Sequence, residues 1–526
     1  MPRTRRNVWK LSQPWDDVLL WYARAVGELQ TRPITDPTSW ASLGAMHGFD
    51  RGLWTALGYI AQGAPLPPSA AQARLWQQCQ HQTWYFLSWH RGYLAAFEAI
   101  VRSAVVKLGG PADWALPYWN YSTDVQSRRL PAAFADTKLP DGRDNPLFTE
   151  RRYGRGDGTI VIDPRDVMLT ALNERYYTGT GPNGATGFGG LKTEFSHFAT
   201  AGDETHNYNG QLEGRPHNIL HVRIGGFDPS DSQQVGLMTN PDTAALDPIF
   251  WLHHANIDRL WKSWLQQTLP RTARPDQFKN PADAGWLDGP RDRKFVMPRP
   301  DGTEYTFTSR NVTDTTAPAL DYVYEEEQPP QPATPVLEAR LERLGVAPGR
   351  AAEIAGAVDM SPLKEPELVG ANDSVLRLNS PDVETAVRLD RGARNDLLES
   401  MKRSTLESAT PQEPDHVYLN LENIKSPTDA AIIYVYINLP AGANPDDHPE
   451  CFAGAVSLFG ARKATAADGP HGGNGISESL DITTIVDRLH INDALGPELS
   501  VKFVAGTPNA TDKITIDRVS IYRQGH

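Results

Sequence analysis

The sequence predicts two globular domains, a mainly helical one followed by an all-β antiparallel sandwich. Three observations support this. The chain has 526 residues, which is too long for one ordinary hydrophobic core. Its first 327 residues are rich in tryptophan, tyrosine and helical patterning. From about residue 375, short apolar runs alternate with Gly, Pro, Asn and Asp, a pattern typical of antiparallel strands joined by turns.

An acidic, proline-rich stretch separates the two parts. Residues 325–332 read Glu-Glu-Glu-Gln-Pro-Pro-Gln-Pro, a composition typical of a linker. We therefore predict a helical domain over residues 1–327, a linker with short helices over 328–374 and a β sandwich over 375–526. The short helices are expected at residues 336–344 and 351–358, and the clearest strands at 431–437, 452–459, 499–504 and 514–522.

Composition narrows the function classes. With 51 Lys and Arg against 64 Asp and Glu, the net charge is −13, which argues against nucleic acid or an anionic membrane as the main partner. No apolar run approaches the length of a transmembrane helix. The arginine pair near the N-terminus has no apolar region behind it, so we expect no secretory signal and a cytoplasmic protein. Two cysteines, Cys79 and Cys451, provide no disulfide framework and fit a reducing compartment.

Two groups of histidines have metal-binding spacing. His217 and His221 are four residues apart, which places both on one helix face. Their partner comes from the segment after Asp247, where Pro248 supplies a favourable first helical residue. His253 and His254 are adjacent there and point about 100° apart, so only one of them can join a shared metal. The other packs or forms hydrogen bonds next to the site.

The first group has a different spacing. His81 and His90 are nine residues apart, which on one continuous helix would put them on opposite faces. We therefore expect His81 in a loop before the helix that carries His90. His47 has to come from an earlier segment, and taken alone it reads as a packed core residue.

Spacing alone leaves the metal open among copper, zinc and iron. A zinc hydrolase of the His-Glu-x-x-His type needs a glutamate directly after the first histidine, and Asn218 stands there instead. Two sites made only of histidines, with no carboxylate ligand, favour copper.

Four segments resemble the tyrosinase and polyphenol oxidase family. Residues 86–94 (FLSWHRGYL) and 247–259 (DPIFWLHHANIDR) resemble its two copper signatures. Residues 113–120 (DWALPYWN) resemble the segment between them, and Tyr322–Tyr324 resembles the tyrosine motif that closes the catalytic domain. The match covers residues 4–325, and the two copper motifs are long and specific.

The resemblance implies two copper ions in a mainly helical domain, whose dicopper core is built from four helices. Copper A would be bound by His47, His81 and His90, and copper B by His217, His221 and His254, with His253 as an unliganded neighbour in the pocket. Cys79 matches a cysteine that many fungal tyrosinases join to the second copper A ligand, here His81, by a thioether. A buried free thiol is the alternative.

The resemblance also implies an activity. The expected enzyme is a tyrosinase that hydroxylates monophenols at the ortho position and oxidises o-diphenols to o-quinones with dioxygen. A phenol has a pKa of about 10 in water, so its proton must be removed. Glu213 and Asn218 match the pair that holds a proton-accepting water in such enzymes, although an acid at a helix start is also common. Val222 occupies the position that shapes the pocket mouth. The expected partners are phenols and dioxygen, and a homo-oligomer is left open.

Two relatives of this function stay open, a catechol oxidase that cannot hydroxylate monophenols and an oxygen carrier of the haemocyanin class. Glu213 with Asn218 favours an enzyme over a carrier, since a carrier need not deprotonate phenols. The strand pattern after residue 375 resembles the sandwich that follows the copper domain in polyphenol oxidases and molluscan haemocyanins, where an inserted side chain can cover the coppers. Within residues 451–460 we select Phe452 as the covering residue, with the sandwich core as the alternative.

Overall fold

The computed structural model describes residues 2–194, 196, 208–267, 276–326, 336–357, 363–405, 413–467, 472–507 and 513–525. Most of the predicted proline-rich linker, residues 327–335, lies outside these ranges. The helices are α1 Asp17–Gln30, α2 Trp40–His47, α3 Arg51–Ala56, α4 Ser69–Leu75, α5 Phe86–Lys107, α6 Ala132–Ala135, α7 Ile219–Gly225, α8 Pro248–Leu265, α9 Ala284–Asp288, α10 Val336–Arg343, α11 Pro348–Ala357, α12 Arg391–Thr405, α13 Ala461–Thr465 and α14 Thr483–Ile491.

The strands lie mostly in the second half of the chain. They are β1 Arg3–Arg5, β2 Phe227–Asp228, β3 Asp231–Val235, β4 Phe295–Pro298, β5 Glu304–Phe307, β6 Tyr322–Tyr324, β7 Glu367–Ala371, β8 Leu376–Leu378, β9 Asp382–Leu389, β10 His416–Lys425, β11 Ile432–Ile437, β12 Phe452–Ser457, β13 Ile476–Asp481, β14 Glu498–Ala505 and β15 Ile514–Gln524. This distribution confirms the predicted order of a helical domain followed by an antiparallel β domain.

An aromatic core fixes the helices of the first domain against one another. The ring of Phe97 in α5 stacks on Trp251 in α8, with centroids 3.5 Å apart and planes 6° apart. Trp40 at the start of α2 meets both rings at 6.0 and 6.2 Å. Large buried rings contribute much apolar area, so α2, α5 and α8 are held at fixed distances from each other.

Helix α8 begins as the Asp-Pro pair predicts. The Asp247 carboxylate accepts the Ile249 backbone N–H, and Pro248 is the first helical residue. Arg152 donates to the same carboxylate at 2.6 to 2.9 Å, and both side chains are buried. The start of this helix is therefore held by a cap and by a charged pair.

A buried carboxylate closes the helical domain. Asp258 in α8 accepts from Arg91 of α5 at 2.5 Å and from Arg5 of β1 at 3.3 Å. The hydroxyls of Tyr322 and Tyr324 in β6 donate to it at 2.5 Å. Strand β1 pairs in parallel with β6, so the first and last segments of the domain meet where α5 and α8 cross.

The second domain is built on one nine-stranded sheet with the order β12-β11-β14-β9-β7-β15-β10-β13, and β8 pairs with β15. Every pairing in it is antiparallel. The end strands β12 and β13 come back into contact, so the sheet curls around an apolar core. The sheet begins at Glu367, earlier than the predicted start at residue 375. The domain also contains α12, α13 and α14, which the strand pattern did not predict.

The two domains share an apolar interface. Ile219 and Val222 of α7 lie in one buried cluster with Tyr434, Tyr436 and Phe459 of the second domain. Burying such side chains contributes roughly 1.5–3 kcal/mol each, so the sheet is seated directly on the helix that carries His221. None of the helices in the described ranges is long and apolar enough to cross a bilayer.

Candidate metal centre

His217, His221 and His254 meet at one point. Their Nε2 atoms lie 3.2 Å (217 to 221), 3.3 Å (217 to 254) and 3.4 Å (221 to 254) apart. Nitrogen ligands about 2.0–2.1 Å from a tetrahedral metal ion are roughly 3.3 Å from each other. The spacing therefore fits one ion held between the three rings.

Hydrogen bonds on the opposite side of two of these rings, those of His217 and His221, orient them. His217 Nδ1 donates to Asn218 Oδ1 at 2.8 Å, and His221 Nδ1 donates to the Met238 carbonyl at 2.8 Å. An acceptor at Nδ1 places the ring proton there and leaves the Nε2 lone pair facing the centre. His217 lies near the end of an irregular turn over Glu213–Asn218, and His221 lies one helical turn further on in α7.

The first group contains His47, His81 and His90 together with Cys79, whose potential ligand atoms all lie within 4.8 Å of one another. His47 is the last residue of α2 and donates from Nδ1 to the Pro241 carbonyl at 2.9 Å. His90 in α5 donates from Nδ1 to the Phe86 carbonyl at 2.8 Å. His81 lies in the loop before α5, as its nine-residue separation from His90 predicted.

The two groups face each other. The rings of His90 and His254 stack with centroids 4.4 Å apart and planes 14° apart. His81 and His217 lie 5.9 Å apart on the neighbouring side. Two ions held by these groups would therefore be close neighbours, with imidazole rings of both groups around them.

Burial keeps the histidines uncharged. It lowers the pKa of His47 to about 4 and holds the pKa values of His90, His217, His221 and His254 well below their usual range. Uncharged imidazoles whose lone pairs converge repel each other unless a cation lies between them. In the described part of the chain neither group contains a carboxylate, and donor sets made of imidazoles suit copper.

His253 lies within the second group, with a ring nitrogen within 4.8 Å of the ligand atoms of the other three histidines. Its Nδ1 faces the Tyr121 hydroxyl at 3.4 Å, and its ring stacks on His217 with centroids 5.4 Å apart. Helical rotation separates its direction from that of His254 by about 100°. The side chain packs against a ring of the site, and its expected role as the unliganded neighbour stays a prediction.

Glu213 and Asn218 line the same cavity as His47 and His81. The Glu213 carboxylate accepts the backbone N–H of Gln82 through both oxygens, at 2.8 and 3.0 Å. Burial raises the pKa of Glu213 well above its usual range. Val222, expected at the pocket mouth, is buried in the apolar cluster between the domains together with Phe459.

Cys79 lies against the first group. Its Sγ is 3.6 Å from both Nδ1 and Nε2 of His81, and 3.4 Å from Nε2 of His90. An atom equidistant from the two ring nitrogens can face Cε1, the carbon between them. The thiol is buried, and burial raises its pKa.

The covering residue selected from the sequence is wrong. Phe452 lies between Tyr434 and Tyr436, with centroids 5.8 and 5.4 Å away. Phe459 is the ring over the histidines, stacked on His221 at 4.2 Å with planes 22° apart, and 5.7 Å from His81. Phe452 starts β12, whereas Phe459 follows the strand and precedes Gly460, whose φ of 79° turns the chain down into the cavity.

Comparison with known proteins identifies the family. Residues 37–267 match the common central domain of tyrosinase, and residues 365–524 match a domain family of unknown function. Tyrosinase HcTyr1 from Hahella sp. (strain CCB-MM4) is 32% identical over 537 residues, which cover 99% of both chains. The chain belongs to the tyrosinase family.

More distant tyrosinase relatives agree. The latent form of a polyphenol oxidase from Prunus armeniaca is 29% identical over 289 residues, covering 52% of this chain and 42% of that protein. The structure of latent apple tyrosinase superimposes with a TM-score of 0.57 at 20% identity, covering 100% of this chain and 98% of that one. A latent aurone synthase gives 0.57 at 18% identity, covering 100% and 90%. These structures share the fold, including a second domain.

Tyrosinases are dicopper oxidoreductases, and the two histidine groups could hold the two copper ions. Family membership leaves no support for a zinc hydrolase. Phe459 lies within the expected covering segment, residues 451–460, but was not selected, and Lys463 and Asp242 were not predicted. All three line the cavity of this tyrosinase site. Only the glycine after Phe459 indicated a turn there, and nothing local linked that turn to histidines far away in the chain.

Proposed function

We propose that this chain is a copper-dependent tyrosinase that hydroxylates monophenols at the ortho position and oxidises o-diphenols to o-quinones with dioxygen. The supporting observation is that two converging histidine groups face each other beside a cavity that also contains Glu213 and Asn218. Copper A would be held by His47, His81 and His90, and copper B by His217, His221 and His254. When bound, the copper pair supplies the redox chemistry with dioxygen.

The protein itself handles the phenolic proton. In the proposal, Glu213 and Asn218 hold a water that accepts this proton. The Gln82 N–H fixes the direction of the Glu213 carboxylate, and the raised pKa of this buried group makes it a stronger base once ionised. Asn218 Oδ1 is engaged by His217, which orients the amide so that its NH₂ group can donate to the water.

We also propose a thioether between Cys79 Sγ and Cε1 of His81. The bond would form with loss of the thiol hydrogen and the ring hydrogen, with dioxygen at the copper pair as oxidant. It would hold a loop histidine that no helix orients. In copper-treated protein, the peptide carrying both residues should be lighter by the mass of one hydrogen molecule, and Cys79→Ser should abolish this difference. An unchanged mass after copper treatment would contradict the proposal.

The cavity beside the histidines is small. The cavity next to the histidines has a volume of about 70 Å³. A water occupies roughly 30 Å³ of liquid, whereas ligand pockets measure roughly 300 Å³ or more. Phe459 fills the remaining space over His221, and Ser457 fastens the end of β12 by donating to the Asn218 carbonyl at 2.9 Å. We propose that the second domain keeps the enzyme latent until Phe459 withdraws.

Substitution of the covering ring tests this function. Copper-loaded Phe459→Ala protein should oxidise catechol and tyrosine faster than the unaltered chain. The increase should be roughly tenfold if displacing the Phe459 ring from the site requires about 1.4 kcal/mol. The matched control is Phe452→Ala, which removes a ring that packs against the same interdomain cluster but does not line the cavity, and it should activate much less. Oxidation that is independent of copper, or equal activation by both variants, would contradict the proposal.

The same experiment separates the alternatives. A catechol oxidase would oxidise catechol but leave tyrosine unchanged in the Phe459→Ala protein. An oxygen carrier would bind dioxygen reversibly and turn over neither substrate. Glu213 in the cavity favours the hydroxylating enzyme, because only hydroxylation of a monophenol depends on a separate proton acceptor of this kind.

A further inference from the structure

The segment that covers the histidines carries two chemical groups into the cavity. Phe459 stacks its ring on His221 at 4.2 Å. Four residues later, Lys463 in α13 places Nζ 2.8 Å from Asp242 Oδ1. Gly460 makes the turn between them with a φ of 79°. The domain therefore presents an aromatic ring and an ammonium group, on one short segment, to the site where a phenol has to bind.

We call the segment from Phe459 to Lys463 the lid. Asp242 belongs to the helical domain and is held there by contacts that do not involve the lid. Its backbone N–H donates to Asn240 Oδ1 at 2.9 Å, and its carbonyl accepts the Trp54 indole N–H at 2.6 Å. The residue is 9% exposed. A carboxylate fixed by backbone contacts within its own domain should keep its position when the second domain moves.

The Asp242 carboxylate lies at the edge of the first histidine group. A Cβ on Gly48, the residue directly after His47, would be 2.9 Å from Asp242 Oδ1, so only a glycine leaves room there. The preceding carbonyl, of Pro241, is the acceptor of His47 Nδ1. Asp242 is thus positioned beside the metal centre at the rim of the cavity.

The charged side chains that line the cavity are unbalanced once the lid, residues 459–463, withdraws. Among the described residues that line it, the carboxylates Asp242 and Glu213 belong to the helical domain, and the one Lys or Arg, Lys463, belongs to the lid. When the lid withdraws, Asp242 loses its ionic partner. A bound molecule with an ammonium group can replace that partner, whereas a neutral molecule leaves the carboxylate unpaired and an anion is repelled.

We propose that the opened site selects phenols that carry an ammonium group, with Asp242 as the residue that determines this specificity. Phe459 and Lys463 occupy the positions of the phenol ring and the ammonium group of such a substrate. This inference rests on the proposed phenol-oxidising function and adds the charge class of the substrate.

The test uses the full, copper-loaded chain with Phe459→Ala and Lys463→Ala together, which opens the site and removes the lid cation. KM is measured for tyramine, p-cresol and 3-(4-hydroxyphenyl)propanoate, which differ in side-chain charge. We expect the lowest KM for tyramine. Adding Asp242→Asn should raise the KM for tyramine about three- to fivefold, the range of a partly exposed ion pair, leave that for p-cresol unchanged and lower that for the propanoate. Asp141→Asn, an exposed acid remote from the cavity, is the control.

A second readout does not depend on turnover. Calorimetry with 2-phenylethylamine, which has the ammonium group but no hydroxyl to react, should show binding to the metal-free double variant and weaker binding after Asp242→Asn. If no phenol is oxidised but this amine binds through Asp242, the proposed function fails and the charge selectivity stands. If p-cresol is oxidised but Asp242→Asn changes all three KM values alike and leaves amine binding unchanged, the selectivity is overturned and the function stands.

Discussion

At the scale of single residues, the site depends on which nitrogen of each imidazole faces its centre. Backbone carbonyls of Pro241, Phe86 and Met238 hold the Nδ1 atoms of His47, His90 and His221. Each such bond fixes the tautomer and the ring plane together. In the second group, where the Nε2 atoms converge within 3.4 Å, the Met238 carbonyl orients His221 and the Asn218 side-chain oxygen orients His217.

Glu213 provides a test at this scale. Glu213→Gln should lower tyrosine hydroxylation by about a hundredfold, the usual effect of losing a general base, and lower catechol oxidation much less. Because burial raises the pKa of Glu213, hydroxylation in the Phe459→Ala background should fall as pH drops through that raised value, where the carboxylate takes up a proton. Steady-state rates across pH for both substrates measure this.

The control for Glu213→Gln is Glu194→Gln, which changes an exposed acid paired with Arg291. Equal losses for tyrosine and catechol, or no loss for either, would count against the role of Glu213. A hydroxylation rate that does not change with pH in the Glu213→Gln protein is expected, since the titrating group is gone.

At the scale of elements, α5 carries His90 and needs a close approach to the β4–β5 hairpin. A Cβ on Gly92 would lie 2.2 Å from the tip of the Phe307 ring, which is itself packed on Phe295 with centroids 5.4 Å apart. The missing side chain lets the helix lie directly against this ring. The helix that presents one histidine is thereby seated by a residue two positions away from it.

Gly92→Ala should therefore destabilise the protein, although alanine is the better helix former. Overpacking a buried site costs roughly 1–3 kcal/mol, whereas replacing a helical glycine by alanine gains at most about 1 kcal/mol. Urea unfolding measures the difference. Gly349→Ala in α11, where a Cβ would contact nothing within 4 Å, is the control and should be neutral or slightly stabilising. A stabilised Gly92→Ala protein would contradict this account of the packing.

At the scale of the whole molecule, the docked domain buries a carboxyl group against the helical domain. Glu478 of β13 accepts a hydrogen bond from Asn209 and lies against Gly214, where a Cβ would be 3.3 Å from its oxygen. Arg215 and Glu213 are the charged groups that face it. Burial raises the pKa of Glu478 from 4.5 to about 7, against the opposing effects of Asn209 and Arg215.

This shift makes docking dependent on pH. The docked state binds the proton of Glu478 more tightly than the open state. The contribution of protonated Glu478 to the free energy of docking is therefore fully present below pH 4.5 and is lost as pH rises through about 7. We expect the activity of the full chain, divided by that of Phe459→Ala at the same pH, to rise several-fold between pH 6 and pH 8. The ratio removes the pH dependence of the chemistry itself.

Glu478→Gln should abolish this rise, because the amide stays uncharged and the domain stays docked at pH 8. Glu422→Gln, an acid of the same domain that faces Arg518, is the matched control and should keep the rise. A ratio that is constant with pH in the unaltered chain would show that Glu478 does not govern docking.

The sequence by itself determined the features that depend on local spacing. The change from a helical to an alternating pattern of apolar residues predicted a helical domain followed by a β domain, and the structure confirms this order of domains. The four-residue spacing of His217 and His221 placed both on one helix face, and the Asp-Pro pair located the start of α8. The sequence did not predict the helices α12, α13 and α14 of the β domain, because the strand pattern around them is stronger than their own helical pattern of apolar residues.

Only the tertiary structure decided which distant residues meet. Phe459 lies over His221 and Lys463 beside Asp242, more than 200 residues away in sequence, and no periodicity links such positions. Phe452 and Phe459 are the same residue type in one short segment. The turn at Gly460 and the packing of the sheet on α7 determine that Phe459 rather than Phe452 contacts the histidines. Burial of an apolar ring is favourable wherever it occurs, so hydrophobicity predicts that a ring is buried. The packing of the two domains decides which residues that ring contacts.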